Sequence, residues 1–205
     1  MTFESIVKSL SLADQKIIQE VMALFETVDR RTQAFCRQTG LKCKEGCGAC
    51  CENPQVESTV TEVLPLAVYL WSQGQALDTL KEIRARESQG PCVLYEPHAF
   101  NHHRGRCTIY VYRPGLCRLF GFAVRKNKYG EQELMTCKVI KEEQPGICER
   151  TEEKLRKGLE GPLLTSHAFD VANIDPAHGR AFLPINEALA QAIERIGYAL
   201  EKAKQ

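Results

Sequence analysis

Residues 41–51 read LKCKEGCGACC, which puts Cys43, Cys47, Cys50 and Cys51 within nine positions. Thiolates that close repel one another unless they stay protonated or gather on a cation. The stretch therefore reads as a loop wrapped around a metal, its structure dependent on what it holds. Gly46 and Gly48 support that reading, because glycine lets the backbone turn tightly and can aim N–H groups at sulfur. Side chains of adjacent residues diverge in both helix and strand, so Cys50 and Cys51 are expected to serve different metals or different corners of one assembly. A vicinal disulfide is the alternative, and it needs unusual geometry and an oxidising setting.

Four more cysteines, Cys92, Cys107, Cys117 and Cys137, are spaced too widely to form a local motif but can converge in the fold. Eight cysteines suffice for two four-sulfur sites, or for one four-sulfur cluster with other thiols in support, and spacing leaves both open. His98, His102 and His103 lie between Cys92 and Cys107; they read as exposed loop histidines, with replacement of one thiolate on zinc as the alternative. Arg104, Arg106, Arg113 and Arg118 cluster nearby, either as ordinary surface residues or to offset the roughly two excess negative charges of a four-thiolate zinc site. Cys43, Cys47 and Cys50 also reproduce the C-x3-C-x2-C spacing of radical SAM enzymes. A chain this short, without alternating strands and helices, does not build their barrel.

Outward from this segment, composition sets the frame. The chain has 205 residues, 43% apolar and 26% charged, with a formal net charge of +1. A chain of that length buries roughly 70% of its unfolded surface, so its core does not depend on disulfides. Its balanced charge gives no reason to expect nucleic acid or a membrane as a partner. The N-terminal MTFESIVKSLSLADQK lacks the apolar stretch of a secretory signal, and no run is long enough to span a bilayer. A cytoplasmic location is expected, where disulfides rarely persist and ten cysteines call for metal or redox chemistry.

Before the cysteine nest, residues 3–38 show Ile6, Leu10, Ile17, Ile18, Val21, Leu24, Phe25 and Val28 at helical spacing, with Gly40 as a stop. After it, STVTEVLPLAVYLWSQGQ predicts a helix capped by Ser58, Thr59 or Thr61, with Glu62 close behind and Pro65 in the first turn. Residues 75–87 predict another helix, ended by Gly90 and Pro91. The pieces CTIYVY and LFGFAVRK look β-like, and a turn at 127–130 leads into EQELM, which makes residues 107–135 the place for a small sheet. The charged stretch 145–161 reads as helical in part, and LLTSHAFDVANIDPAHGRAFLP reads mainly as loop. A final amphipathic helix carries Ile185, Leu189, Ile193, Ile196 and Leu200 near one face.

Taken together, CKEGCGACC, VESTVTEVLPLAVYL, GPCVLY, RCTIYVYRPGLCRLF and the later Cys137 resemble the CxxCxxCC, or YkgJ-type, cysteine-cluster proteins, described as zinc- or iron-chelating domains. The resemblance runs from about Cys43 to Cys137. It implies that Cys43, Cys47, Cys50, Cys51, Cys92, Cys107, Cys117 and Cys137 are the metal-binding set, with Cys36 and Cys148 outside it. The family includes a flagellin lysine N-methylase, so methyl transfer is an activity the resemblance brings with it. The chain itself shows no glycine-rich turn for S-adenosylmethionine or a dinucleotide, no nucleophile elbow and no zinc-protease helix.

The expected fold is α+β and predominantly helical: a small cysteine-rich, metal-centred domain with a short β element and flanking N- and C-terminal helices. An N-terminal helical segment covers residues 1–40, the cysteine-cluster domain 41–150, and a C-terminal loop and helix 151–205. The leading function is metal binding, through an iron–sulfur cluster of the [4Fe-4S] kind or zinc. The alternatives are a cluster- or metal-dependent enzyme of redox chemistry or protein modification, with Tyr110, Tyr112, His102 and His103 as acid–base candidates, and a metal-stabilised regulatory or adaptor module with a protein partner.

Overall fold

A computed structural model describes residues 1–86, 90–97 and 105–203. Its centre is α4 (Val60–Ser72). Thr59 caps this helix and closes a capping box with Glu62, so two orphan N–H groups are satisfied reciprocally. Every residue from Val60 to Val68 is buried, as expected of a helix packed on all sides. Pro65 lies in the second turn rather than the first, where it removes one internal hydrogen bond from a helix held by its surroundings.

Around α4 pack α1 (Phe3–Ser9), α2 (Leu12–Thr39), α5 (Ala76–Ala85) and α10 (Ile185–Lys202). The five apolar residues expected on one face of α10 are all buried. Trp71 seals the α4–α10 contact: its indole N–H donates to the Ile193 carbonyl at 3.0 Å, and Gly197 lies so close that a Cβ there would come within 2.8 Å of the ring. One apolar cluster runs through α1, α2, α4, α5 and α10. At its edge Arg195 bonds Asp14 at 2.7 Å and Asp175 at 3.3 Å, and Thr61 donates to Asp175 at 3.1 Å.

The other half of the molecule is made of short pieces. It holds α3 (Ala49–Glu52), α6 (Gly115–Leu119), α7 (Lys138–Glu143), α8 (Pro145–Arg156) and α9 (Leu164–Ile174). Three antiparallel pairs join β1 (Glu57–Ser58) to β6 (Leu183–Pro184), β2 (Tyr95–Pro97) to β3 (Gly105–Cys107), and β4 (Ala123–Lys126) to β5 (Gln132–Met135). The chain is thus α+β and predominantly helical. Among the described residues no helix is long and apolar enough to cross a membrane.

The turn at 127–130 forms as expected, with the Asn127 side-chain oxygen accepting from the N–H groups of Tyr129 and Glu131. Two expectations are corrected. CTIYVY is not a strand beyond Cys107, since Tyr110–Tyr112 coil into one 3-10 turn, and LFGFAVRK becomes a strand only from Ala123. The stretch expected to be mainly loop contains α9, whose inward seam is His167 and Val171 at i and i+4. A buried histidine in that seam hid the apolar periodicity.

Candidate metal centre

The nest begins where α2 stops. Gly40 takes the left-handed conformation, φ 84°, and caps the helix by bonding the Cys36 carbonyl. Leu41 then anchors the chain beside Phe35 and Ile140, at 1% exposure. Gln144 clamps the next residue from both sides, accepting from the Lys42 N–H at 3.2 Å and donating to its carbonyl at 2.6 Å. At Gly46 the backbone again turns left-handed, φ 67°, and its carbonyl accepts from the Gly105 N–H at 3.1 Å, which docks the nest on β3.

Tyr95 is the wedge that fixes this docking. Its ring lies against both Gly48 and Gly105, where an added Cβ would meet ring carbons at 2.4 and 2.3 Å, and its hydroxyl donates to Glu52 at 2.9 Å. Gly48 is therefore needed for space, not for an unusual backbone, since its φ is −104°. Register pairs Tyr95 with Cys107, and the Cys92 N–H donates to the Cys51 carbonyl at 3.2 Å. Cys117 arrives on α6, whose first N–H, from Gly115, donates to Glu62 at 2.9 Å. Glu62 also bonds the His167 ring at 2.8 Å, and Gly115 has no room for a Cβ because it would fall 1.7 Å from that ring.

These elements enclose a chamber of about 440 Å³. Seven of the eight expected cysteines line it: Cys43, Cys47, Cys50, Cys51, Cys92, Cys107 and Cys117. Val56, Leu66, Ile109, Ile185 and Leu189 supply apolar wall. Cys137 is not on this wall; it caps α7, accepting from the Ile140 N–H at 3.5 Å, and lines a neighbouring cleft. It remains near enough for its charge to raise the Cys43 pKa. Cys36 and Cys148 lie away from the chamber, on α2 and α8.

Cys50 and Cys51 do not diverge as adjacent side chains were expected to. The single turn of α3 brings their sulfurs to 4.0 Å. Two thiolates on one tetrahedral zinc are separated by about 3.8 Å, given a Zn–S bond near 2.3 Å. The remaining thiols are dispersed around the chamber, and among the described residues no three Cys, His, Asp or Glu side chains are pinched onto one point. The donor set nevertheless fits a thiophilic metal: seven sulfurs beside an apolar wall form a soft site.

Burial pushes Cys43 and Cys92 up to about 11, and pushes Cys107 and Cys117 up as well. Cys50 goes the other way, chiefly through its thiol–thiol contact with Cys51, burial opposing and the Arg113 guanidinium assisting. Of the four arginines singled out by sequence, Arg113 and Arg106 line the chamber, and Arg106 is bonded to Glu96 at 2.6 Å. Arg118 is spent on Asp29 and on the Val111 and Arg113 carbonyls. Among the described residues Arg113 has no carboxylate partner; it lies 3.7 Å over the Tyr110 ring, on the wall it shares with the sulfurs.

Tyr110 also lines the chamber, whereas Tyr112 stacks between Phe3 and Tyr69 as packing. His98, His102, His103 and Arg104 lie outside the described residues. Tyr95, Glu62 and His167 are the supporting residues that sequence reasoning missed. Glu62 had a signal as a helix cap but none for its second bond to α6, which depends on tertiary placement.

The fold and the chamber define a cysteine-lined, helix-backed chelating domain. A sequence model of the CxxCxxCC family, described as a putative zinc- or iron-chelating domain, matches residues 42–160, and the chain belongs to that family. No curated protein and no solved structure matches the chain.

Proposed function

We propose that the chamber holds an iron–sulfur cluster on cysteine thiolates, of the [4Fe-4S] kind, with Cys43, Cys47, Cys50 and Cys51 as its nest. Cys92, Cys107, Cys117 and Cys137 complete the metal-binding set. The observation that carries this reading is the distribution of seven thiols around a 440 Å³ chamber with apolar walls. A polynuclear group needs sulfurs set apart around a volume, whereas one zinc needs four at a point. Such a cluster supplies one-electron chemistry.

The protein's own residues do the rest. Val56, Leu66 and Leu189 exclude water, Tyr95 fixes the nest against β3, and Glu62 holds α6 so that Cys117 faces the chamber. Arg113 offsets the negative charge of the thiolates. In this reading residues 41–150 bear the centre, residues 1–40 and 151–205 pack around it, and the setting is the reducing cytoplasm, where unpaired thiols persist. Zinc is the second reading, favoured by the 4.0 Å separation of the Cys50 and Cys51 sulfurs.

The test is elemental analysis with an ultraviolet–visible spectrum on protein purified without oxygen or added metal. Iron with matching sulfide and a broad visible band is the expected result. Colourless protein with stoichiometric zinc would establish the second reading, and protein with neither metal, unable to take up either on reconstitution, would overturn both.

A further inference from the structure

The chamber offers a thiophilic centre a ready-made pair of sulfurs but no ready-made trio. Among the described residues no three Cys, His, Asp or Glu side chains converge on one point, yet Cys50 and Cys51 hold their sulfurs 4.0 Å apart on the chamber wall. The backbone sets this pair. The N–H groups of Cys51 and Glu52 donate to the Gly48 carbonyl at 2.8 and 3.1 Å, the Cys51 carbonyl accepts from the Cys92 N–H at 3.2 Å, and the Glu52 carboxylate accepts from the Tyr95 hydroxyl at 2.9 Å. Closing on itself would strain the pair, because the Cα atoms of adjacent residues are about 3.8 Å apart, short of the roughly 4.4–6.8 Å that disulfides span. It therefore stays a dithiol, a two-point clamp.

Beside the clamp the wall turns apolar. Val56 and Ile185 pack against Cys92, whose N–H holds Cys51, and Leu66, Leu94 and Leu189 extend that surface along a chamber of about 440 Å³. Size and lining together are those of a site for a small organic ligand. The occupant that matches the whole arrangement has a soft centre, satisfied by two thiolates, and a compact apolar body.

We propose that Cys50 and Cys51 capture monosubstituted trivalent arsenicals, with the organic group against Val56, Leu66 and Leu189. Two As–S bonds form, the arsenic–oxygen bond of the oxide breaks, and the oxygen leaves as water with the two thiol protons. Arsenic stays trivalent and no electrons change hands. The arsenical needs the chamber and its thiols but not the cluster; both take the same two sulfurs, so each excludes the other.

Phenylarsine oxide is the probe, added to the full chain as purified and to the same chain after metal removal, with adducts read by intact mass and located by peptide mapping. One phenylarsenic per chain, bridging Cys50 and Cys51 and released by excess small dithiol, is expected. Cys50→Ser and Cys51→Ser should each lose it, with their folds checked by circular dichroism, and Cys148→Ser, away from the chamber, should keep it. The phenyl compound should bind at least roughly tenfold tighter than its methyl counterpart, because only the larger group covers the apolar wall. No adduct on either preparation, an adduct on other cysteines, or equal affinity for phenyl and methyl would each overturn the proposal. Iron content in the same samples tests the cluster separately: an adduct on a chain that takes up no iron leaves this site standing, and iron uptake without an adduct removes it.

Discussion

The helical shell and the cysteine half are held together by different means. In the shell, α4 and α10 meet through fully buried residues such as Val63, Leu64, Ala192 and Ile193, and one apolar cluster spans five helices. In the cysteine half, β3, the one-turn α3 and the loops beside them line a chamber, flanked by small apolar clusters such as that of Leu41, Val124, Ile140 and Leu155. The first has a hydrophobic driving force of its own. The second has close docking contacts, Tyr95 on Gly48 and Gly105, but its centre is sulfur, and what fills that centre decides how firmly it is closed.

The largest expected effect breaks the two halves apart. Structural zinc contributes about 10–16 kcal/mol of apparent binding energy in zinc-finger peptides, which sets the scale for a metal held on thiolates. Removing it by a strong chelator should expose residues 42–53 and 105–137 to proteolysis while α1, α2, α4 and α10 keep their circular dichroism. Peptide mapping of the digest checks this, and simultaneous melting of the shell helices would show that the two halves form one cooperative unit. Because thiols raised by burial must lose protons to bind metal, affinity should fall as pH falls, with proton release on loading.

The junction between the halves is Glu62, which belongs to α4 yet bonds Gly115 of α6 and His167 of α9. Removing one partner of a buried pair leaves the other unmatched, so Glu62→Leu should cost about 3–5 kcal/mol in urea unfolding. Burial opposes ionisation of Glu62, but the His167 contact and the Gly115 and Thr59 N–H groups outweigh it and hold the carboxyl below its usual 4.5. A depressed folded pKa means that this stability is fully present above about 4.5 and is lost as pH falls through the lowered value. Glu62→Gln should therefore flatten the acid limb of the stability curve. An unchanged acid limb would mean that the pair is not ionised.

Within the shell, Ile193→Ala should cost about 2–5 kcal/mol, the range for truncating a fully buried aliphatic. Its metal content should stay at the parent's value. A loss of metal in this variant would show that shell packing, and not only Glu62, positions the cysteines.

The same contrast explains what could be read from sequence. The shell was legible because it obeys one period: Ile185, Leu189, Ile193, Ile196 and Leu200 repeat on a helix face, and Thr59 with Glu62 announces a helix start. The convergence of Cys92, Cys107 and Cys117 on the nest was anticipated as a set by family resemblance, but it is made by tertiary contacts that no local spacing encodes. Tyr95 is the plainest case. It fixes the nest through Gly48, 47 residues before it, and Gly105, 10 residues after it, and a lone tyrosine between Leu94 and Glu96 carries no such mark. The helix α9 was missed for a related reason, since its inward seam is a histidine whose partner, Glu62, comes from elsewhere in the chain.

The smallest expected effect tests whether charge on the shell's surface matters at all. Arg84 on α5 pairs with Glu194 on α10, and the two side chains are 66% and 47% exposed. Water and salt screen such a pair, and two long side chains lose freedom to hold it, so Arg84→Ala should cost only about 0.2–1 kcal/mol. That residue should vanish as salt is raised, which urea midpoints at low and high ionic strength will show. Arg195 is the useful contrast, because it is 25% exposed and reaches both Asp14 and Asp175. Its replacement by alanine should cost more than Arg84→Ala and keep most of its effect in salt. Equal costs would mean that the shell is held by apolar contact alone and that neither ion pair orients α10.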